Sequence, residues 1–293
     1  AVGVAAGSEF SLALLEDGTV VSWGDNNRGQ LGDGGTEKRA TPAAVAGLER
    51  VVAIAAGNSH ALALQEDGRV FAWGRNNSGQ VGDGTFTDRL SPAQVLIVTD
   101  VTAIAAGWSH NLAILADGTI RAWGSNFLGM LGAGSDLDES AAPLAVVGLT
   151  DVVAIATGSG HSLARTADGR HWAWGTSDGT GALGFGNEDE SPLPQPVLGL
   201  HGSAVAAGSS LSLALDDDGR AWGWGHGGFG QLGDGAAVDG WSPVVSPDLA
   251  GLVDLAAGGA HALAVDDAGV VWSWGVNDFG QLGRVVGSQR SPG

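Results

Sequence analysis

Hydrophobic positions along this chain alternate in short bursts. Residues 61–65 read ALALQ and residues 69–73 read RVFAW, with small and large apolar side chains in turn. A period near 2 belongs to a strand, whose successive side chains point to opposite faces. Glu66-Asp67-Gly68 stands between the two bursts and predicts a hairpin, because glycine accepts positive φ. Upstream, VVAIAA at 51–56 predicts another strand. Downstream, GRNNSGQVGDG is turn chemistry, and after Ser91-Pro92 the run AQVLIV at 93–98 predicts a fourth. A solenoid of helices is the rival reading. It fails on the period and on the 51 glycines among 293 residues, which helices of this length would not tolerate.

The whole pattern repeats. Trp-Gly recurs at Trp23, Trp73, Trp123, Trp174, Trp224 and Trp274, every 50 or 51 residues. A small-residue motif keeps step with it at Gly7, Gly57, Gly107, Gly158, Gly208 and Gly258. Four strands in about 50 residues is the size of a propeller blade. The expected fold is therefore an all-β propeller of four-stranded blades, forming one domain over residues 1–293. A blade cannot bury both faces alone, so neighbours must cover one another. The repeated Trp is expected to fill the gap between adjacent sheets, and the alanine-rich stretches to lie where sheets converge.

The string from Gly-x-x-His through Asp-Gly to Trp-Gly-x-Asn-x-x-Gly-Gln-Leu-Gly resembles the regulator of chromosome condensation repeat family. Repeat two carries Gly57, His60, Asp67, Gly68, Trp73, Gly74, Asn76, Gly79, Gln80 and Gly82. Repeat four departs most, since TSDGTGALG at 176–184 lacks the Asn and the Gln. The resemblance covers essentially the whole chain and implies a propeller, usually of seven blades. Six repeats are visible here, so six blades are expected before seven. AVGVAAG at the N-terminus reads as the tail of a unit begun near Pro292 or in sequence not given. With Met130 as the sole methionine, Ala1 reads as the start of a processed product or fragment.

Charge narrows the partners. There are 13 Lys and Arg against 32 Asp and Glu, a net charge of −19. Nucleic-acid binding needs cations to displace counterions, and this chain has no basic patch for it. The chromatin and small-GTPase binding that the resemblance implies is not carried over for the same reason. Cysteine is absent, which removes disulfides and thiol catalysis. No apolar run reaches the 18 residues of a membrane span. The Ala-, Gly- and Asp-rich, Lys-poor composition suggests a bacterial source, with export or an extracellular location favoured.

The recurrent His60, His110, His161 and His261 invite a catalytic or metal-binding reading. The same slot holds Phe10 and Leu211, so a buried ring with a backbone hydrogen bond is expected instead. Ser59-His60 cannot form a nucleophile–base pair if both lie in a strand, because neighbours point apart. The acidic runs Asp216–Asp218, Asp136–Glu139 and 187–190 lack the alternating ligand spacing of a calcium loop. No enzyme, metal site or cofactor is expected.

Variation between repeats points to a surface. It concentrates in the turn after Trp-Gly and in the segment after Gly-Gln-Leu-Gly. Large apolar residues there without a repeat role are candidates for partner binding: Trp108, Phe127, Trp241 and Phe86. Phe229 and Phe279 share one slot and read as structural, as do Trp172, Trp222 and Trp272 in another. The function expected is a non-catalytic scaffold that binds a protein through variable loops on one face. The alternatives are a lectin-like ring for glycans and an inhibitor-type propeller that traps an enzyme.

Overall fold

The alternating bursts form antiparallel strands joined by tight turns in a computed structural model that describes residues 1–96 and 98–284. The chain divides into two compact units, Ala1–Asp151 and a second from Val152 onward. In the first lie β1 (Gly3–Ala6), β2 (Phe10–Leu14), β3 (Val20–Gly24) and β4 (Arg39–Ala44). They are followed by β5 (Val51–Ala56), β6 (His60–Gln65), β7 (Val70–Gly74) and β8 (Arg89–Gln94). Then come β9 (Val101–Ala106), β10 (His110–Leu115), β11 (Ile120–Ser125) and β12 (Glu139–Ala145). The second unit holds β13 (Val152–Thr157), β14 (His161–Thr166), β15 (Arg170–Gly175), β16 (Ser191–Ala207) and β17 (Leu211–Asp216). Its remaining strands are β18 (Ala221–Gly225), β19 (Gly240–Val245), β20 (Leu252–Ala257), β21 (His261–Asp266) and β22 (Val271–Gly275).

The protein is all-β and of propeller type, but the described strands do not make six, or seven, four-stranded blades. The first unit has three four-stranded sheets, β1 to β4, β5 to β8 and β9 to β12. The second has one seven-stranded sheet, β13 to β19, and one of three strands, β20 to β22. The merger lies in β16, whose 17 residues pair with β15 as far as His201 and with β17 from Gly202. Elsewhere the chain breaks at this point through a left-handed residue: Arg50 (φ 46°), Asp100 (φ 58°), Asp151 (φ 56°) or Gly251 (φ 69°). His201 stands in the corresponding place and has no positive φ. Its ring bonds the Asp217 carboxylate and the Asp168 carbonyl, and the strand runs on through it. The expected closure near Pro292 lies outside the described residues.

The fourth strand of repeat two also begins earlier than AQVLIV suggested. It is RLSPAQ, paired to β7 through Gly74↔Arg89 and Ala72↔Ala93. As an edge strand it accommodates Pro92, which has no N–H to donate. Val95 and Val98 follow it as buried residues, and Ile97 lies outside the described residues.

The repeated Trp does fill the space between sheets. Trp73 packs with Leu12 and Val20 of the preceding sheet, and Trp123 with Leu62 and Val70. In the second unit Trp224 packs with Leu163, and Trp274 with Leu213 and Ala221. Each indole N–H donates to a carbonyl of the preceding repeat: Trp73 to Gln30 at 2.9 Å, Trp123 to Gln80 at 2.9 Å, Trp224 to Ala182 at 3.0 Å and Trp274 to Gln231 at 2.9 Å.

The recurrent histidines are buried at positions 60, 110 and 161, while His261 is partly exposed. For His60 and His161 the partner of the ring is a side chain of the next repeat, not the expected backbone group. His60 Nε2 donates to Asn111 Oδ1 at 2.7 Å, and Asn111 Nδ2 donates to the Gln80 carbonyl at 2.9 Å. His161 Nε2 donates to Ser212 Oγ at 3.0 Å, and that hydroxyl donates to the Ala182 carbonyl at 2.8 Å. Where the slot is apolar, the facing residue is apolar too: Phe10 clusters with Ala61, and Leu211 with Ala262.

Gly57 is required by close approach. A Cβ there would stand 2.1 Å from His60 Cε1 and 2.5 Å from the Gly107 carbonyl oxygen. That oxygen is backbone of the next repeat and cannot step aside. Gly57→Ala is expected to lower the free energy of unfolding by about 1–3 kcal/mol, read from urea titration.

Candidate partner-binding surface

Strand register places three kinds of loop at one end of each sheet. In repeat two His60 pairs with Gly74, and Gly74 with Arg89. The segment before β6, the turn after β7 and the loop before β8 therefore share that end. The same register holds in repeat three, through His110↔Gly124 and Ser125↔Glu139, and in repeat five, through Leu211↔Gly225 and Gly225↔Gly240. The Asp-Gly hairpins lie at the opposite end.

The Asn and Gln of the repeat motif build these loops. Asn76 Oδ1 accepts from the Val81 amide at 2.8 Å, and its Nδ2 donates to the carbonyls of Thr85 (2.9 Å) and Thr87 (3.0 Å). One buried amide side chain thus ties the turn to the following loop. Asn26 and Asn126 repeat the arrangement. Gln80 Oε1 accepts from the Ser78 amide at 2.8 Å. The same bond fixes the amides of Phe229 and Phe279, through Gln231 and Gln281, at 2.9 Å each.

Aspartates lock the outer loop. Burial pushes the Asp83 carboxyl upward, but hydrogen bonds from Thr85 and Arg89 outweigh it and hold the group below the ordinary carboxylate range. Asp33 behaves alike: burial acts upward, and the Gly35 amide, Asn26 and Arg39 together win. These loops are held in place from within, so the side chains they project are carried on a firm base.

Three of the four sequence candidates project outward. Phe127 is 63% exposed, Trp108 51% and Phe86 50%. Trp108 and Phe127 belong to the same end of one sheet, where the Ser125 amide donates to the Ser109 carbonyl at 2.9 Å. Phe86 occupies the equivalent end of the sheet before it. Trp241 is different. It is half-buried at the start of β19, its carbonyl accepts from the Gly186 amide at 2.8 Å, and its Cα lies beside Gly181. Leu90 and Ala141 make the same carbonyl contact with Gly34 and Gly84, so Trp241 also links neighbouring repeats.

Of the two residues read as structural, Phe279 is 95% exposed, whereas Phe229 is 47% exposed and packs edge-on against the His226 ring at 5.6 Å. Their shared slot reflects a common backbone and not a common burial. The signal against packing was present in the sequence, since the slot holds Arg28 and Ser78 in other repeats. Leu128 and Leu137 add exposed apolar surface at the same end. Trp172, Trp222 and Trp272 are partly buried, each indole N–H bonding to its own repeat at Thr166, Asp216 or Asp266.

Ser59, His60 and Asp216 are engaged structurally. The Ser59 hydroxyl turns to Asn58 Oδ1 at 2.7 Å while His60 turns to Asn111, so that pair points apart. Asp216 accepts from Arg220 Nε at 2.8 Å and from Trp222 Nε1 at 2.9 Å. No helix among the described residues is long and apolar enough to cross a membrane.

These sheets and loops define a class, and comparison with known proteins agrees on it. The RCC1-like domain profile matches residues 1–247, and the regulator of chromosome condensation (RCC1) repeat profile matches residues 252–281. The chain belongs to the RCC1-like domain family. The crystal structure of human WBSCR16 superposes with a TM-score of 0.86 at 25% identity, over 99% of this chain and 80% of that one. Yeast RCC1 (Prp20), in a crystal structure bound to Kap60, gives a TM-score of 0.86 at 25% identity, over 99% of this chain and 73% of that one. Human E3 ubiquitin-protein ligase HERC2 is 46% identical over 48 residues, which are 16% of this chain and 1% of the ligase.

Proposed function

We propose that this protein is a protein-interaction module that binds its partner through the loop end of its sheets, with residues 1–293 acting as one domain. The observation that carries the reading is the set of exposed aromatic side chains on internally tied loops: Phe86, Trp108 and Phe127 in the first unit, Phe229 and Phe279 in the second. Aromatic side chains supply large contact area for little conformational entropy, and they dominate binding energy at protein interfaces. The yeast relative is seen bound to another protein, Kap60, which supports use of this scaffold for protein contacts. The loops of the second unit also carry Asp178, Glu188, Asp189, Glu190, Asp234 and Asp239. Acidic loops favour a partner with a basic surface.

The test is a pull-down from extract and culture fluid of the organism that makes the protein. Wild type is compared with the Phe86→Ala, Trp108→Ala, Phe127→Ala triple variant. The three side chains are at least half exposed, so the variant is expected to keep wild-type stability to within about 1–2 kcal/mol. It is expected to lose a protein that wild type retains. Equal retention by the folded variant would place binding elsewhere.

A further inference from the structure

Repeat four departs from the others in its packing as well as in its loops. Where β6 pairs with β7, Leu64 stands opposite Val70, and both are buried against repeat three. Repeats one, three and five keep a buried apolar pair in this place: Leu14 and Val20, Ile114 and Ile120, Leu215 and Ala221. In repeat four the pair is Arg165 and His171.

Both side chains reach the first strand of repeat five, which is the part of β16 from Gly202 onward. Arg165 Nη1 donates to the Gly202 carbonyl at 3.4 Å, and His171 Nε2 donates to the Ala204 carbonyl at 3.2 Å. His171 is 1% exposed. With the ring's one proton on Nε2, a second proton must go to Nδ1. That nitrogen is buried and has no partner among the described residues, and Arg165 Nε is in the same condition. The second proton would make a buried cation whose new N–H finds no acceptor, a state far less favourable than a protonated ring in water. The charged groups that face the ring are Arg165 from β14, His201 from β16 and Asp217 from the turn after β17. His201 is a cation when both its nitrogens donate, one to the Asp217 carboxylate and one to the Asp168 carbonyl. Burial is the largest influence on His171 and holds it below the ordinary histidine value. Arg165 and His201 act in the same direction, against the Ala204 bond and Asp217.

We infer that the contact between the β14–β15 hairpin and the first strand of repeat five is an acid-sensitive joint, closed while His171 is neutral and opened when its ring takes a second proton. Closed, the ring rests on the Ala204 carbonyl out of water. Opened, it is hydrated and titrates near the ordinary value of 6.5. The closed state holds the lower value, so closure is complete above pH 6.5 and weakens as the pH falls below it. The His201 bonds change in the opposite sense, since they persist in acid, but that ring is exposed and screened.

The experiment is hydrogen–deuterium exchange of the 293-residue protein at about pH 7.5 and about pH 5, on either side of the histidine range. Rates are converted to protection factors, which removes the intrinsic pH dependence of exchange. Wild type is expected to lose protection over residues 162–174 and 202–207 at the lower pH. Two variants keep the joint and remove its proton. His171→Gln retains an N–H for the Ala204 carbonyl and does not titrate. Arg165→Leu with His171→Val installs the pair that repeat two carries. Protection at pH 7.5 equal to wild type or higher shows that a variant is folded. Both variants are expected to retain, at pH 5, most of the protection that wild type loses in these segments. Any loss shared by all three proteins belongs to His161, on the same hairpin. A wild type that loses none, or variants that lose as much as wild type, overturns the inference.

Discussion

Trp123→Ala is expected to lower the free energy of unfolding by about 3–5 kcal/mol, the range for removing a fully packed aromatic side chain. The side chain is completely buried against Leu62, Leu64, Val70 and Val81 of the preceding repeat and Ala113 of its own. Its deletion opens a cavity between two sheets whose backbones are fixed by their own hydrogen bonds, so collapse can be only partial. It also removes the indole donor from the Gln80 carbonyl, which keeps only Asn111. The proper control is another Trp→Ala substitution. Trp108→Ala removes the same atoms from a side chain that is 51% exposed and is expected to cost about 0.5 kcal/mol or less. Urea titrations of both variants against wild type read the difference. Equal losses would show that the repeated Trp does not bear the inter-sheet packing.

Acid is expected to destabilise the protein before its carboxylates titrate. Burial pushes His60 and His161 down to about 4, against an ordinary value of 6.5. Both rings are therefore neutral at pH 7, which matches a single Nε2 proton donated to Asn111 or Ser212. Between pH 6.5 and about 4 the unfolded chain binds protons at these sites and the folded chain does not. Their contribution is complete above pH 6.5 and is lost as the pH falls to about 4. It amounts to about 3 kcal/mol per histidine. His201 acts in the opposite sense, because its hydrogen bond to Asp217 raises its pKa, but it is exposed to solvent and screened. Stability measured at pH 7.5, 5.5 and 4.5 is expected to fall steadily. The repeats themselves suggest the diagnostic variant. The apolar form of this contact pairs Phe10 with Ala61 and Leu211 with Ala262. His60→Leu alone leaves Asn111 Oδ1 buried without its donor and is expected to destabilise. His60→Leu with Asn111→Ala restores an apolar pair and is expected to recover part of the loss at pH 7 while flattening the acid dependence in part, since burial also lowers His161, His171 and His261. An unchanged pH profile in the double variant would show that His60 does not carry the effect.

The strands were largely legible because small and large apolar residues alternate with the pleat and the turns carry glycine at fixed places. The role of the repeated Trp was legible for the same reason, since one large residue per 50 had to fill the space that small residues left. The seven-stranded sheet was not. It turns on His201 standing where Arg50, Asp100 and Asp151 take left-handed backbone, and neither Arg nor Asp requires that conformation as glycine so often does. The partner of the buried histidines was hidden because it sits 51 residues away, in Asn111 or Ser212. It could have been found from the repeats, where the polar slot and the facing residue change together. Phe279 was misread because a position shared with Phe229 was taken for shared burial. The Asn76 and Gln80 hydrogen bonds show why the motif recurs regardless of what the loop projects.

The central claim is that the loop end, with its exposed aromatics, is the partner-binding face. Photo-crosslinking tests it most directly. A benzophenone side chain replaces Phe127 or Phe86 at the loop end, and Thr19 or Thr119 at the hairpin end, in separate variants. Each is irradiated in extract of the organism that makes the protein. One protein adduct common to the Phe127 and Phe86 variants and absent from the Thr19 and Thr119 variants is the expected result. Adducts formed only from the hairpin end, or none from the loop end, would contradict it.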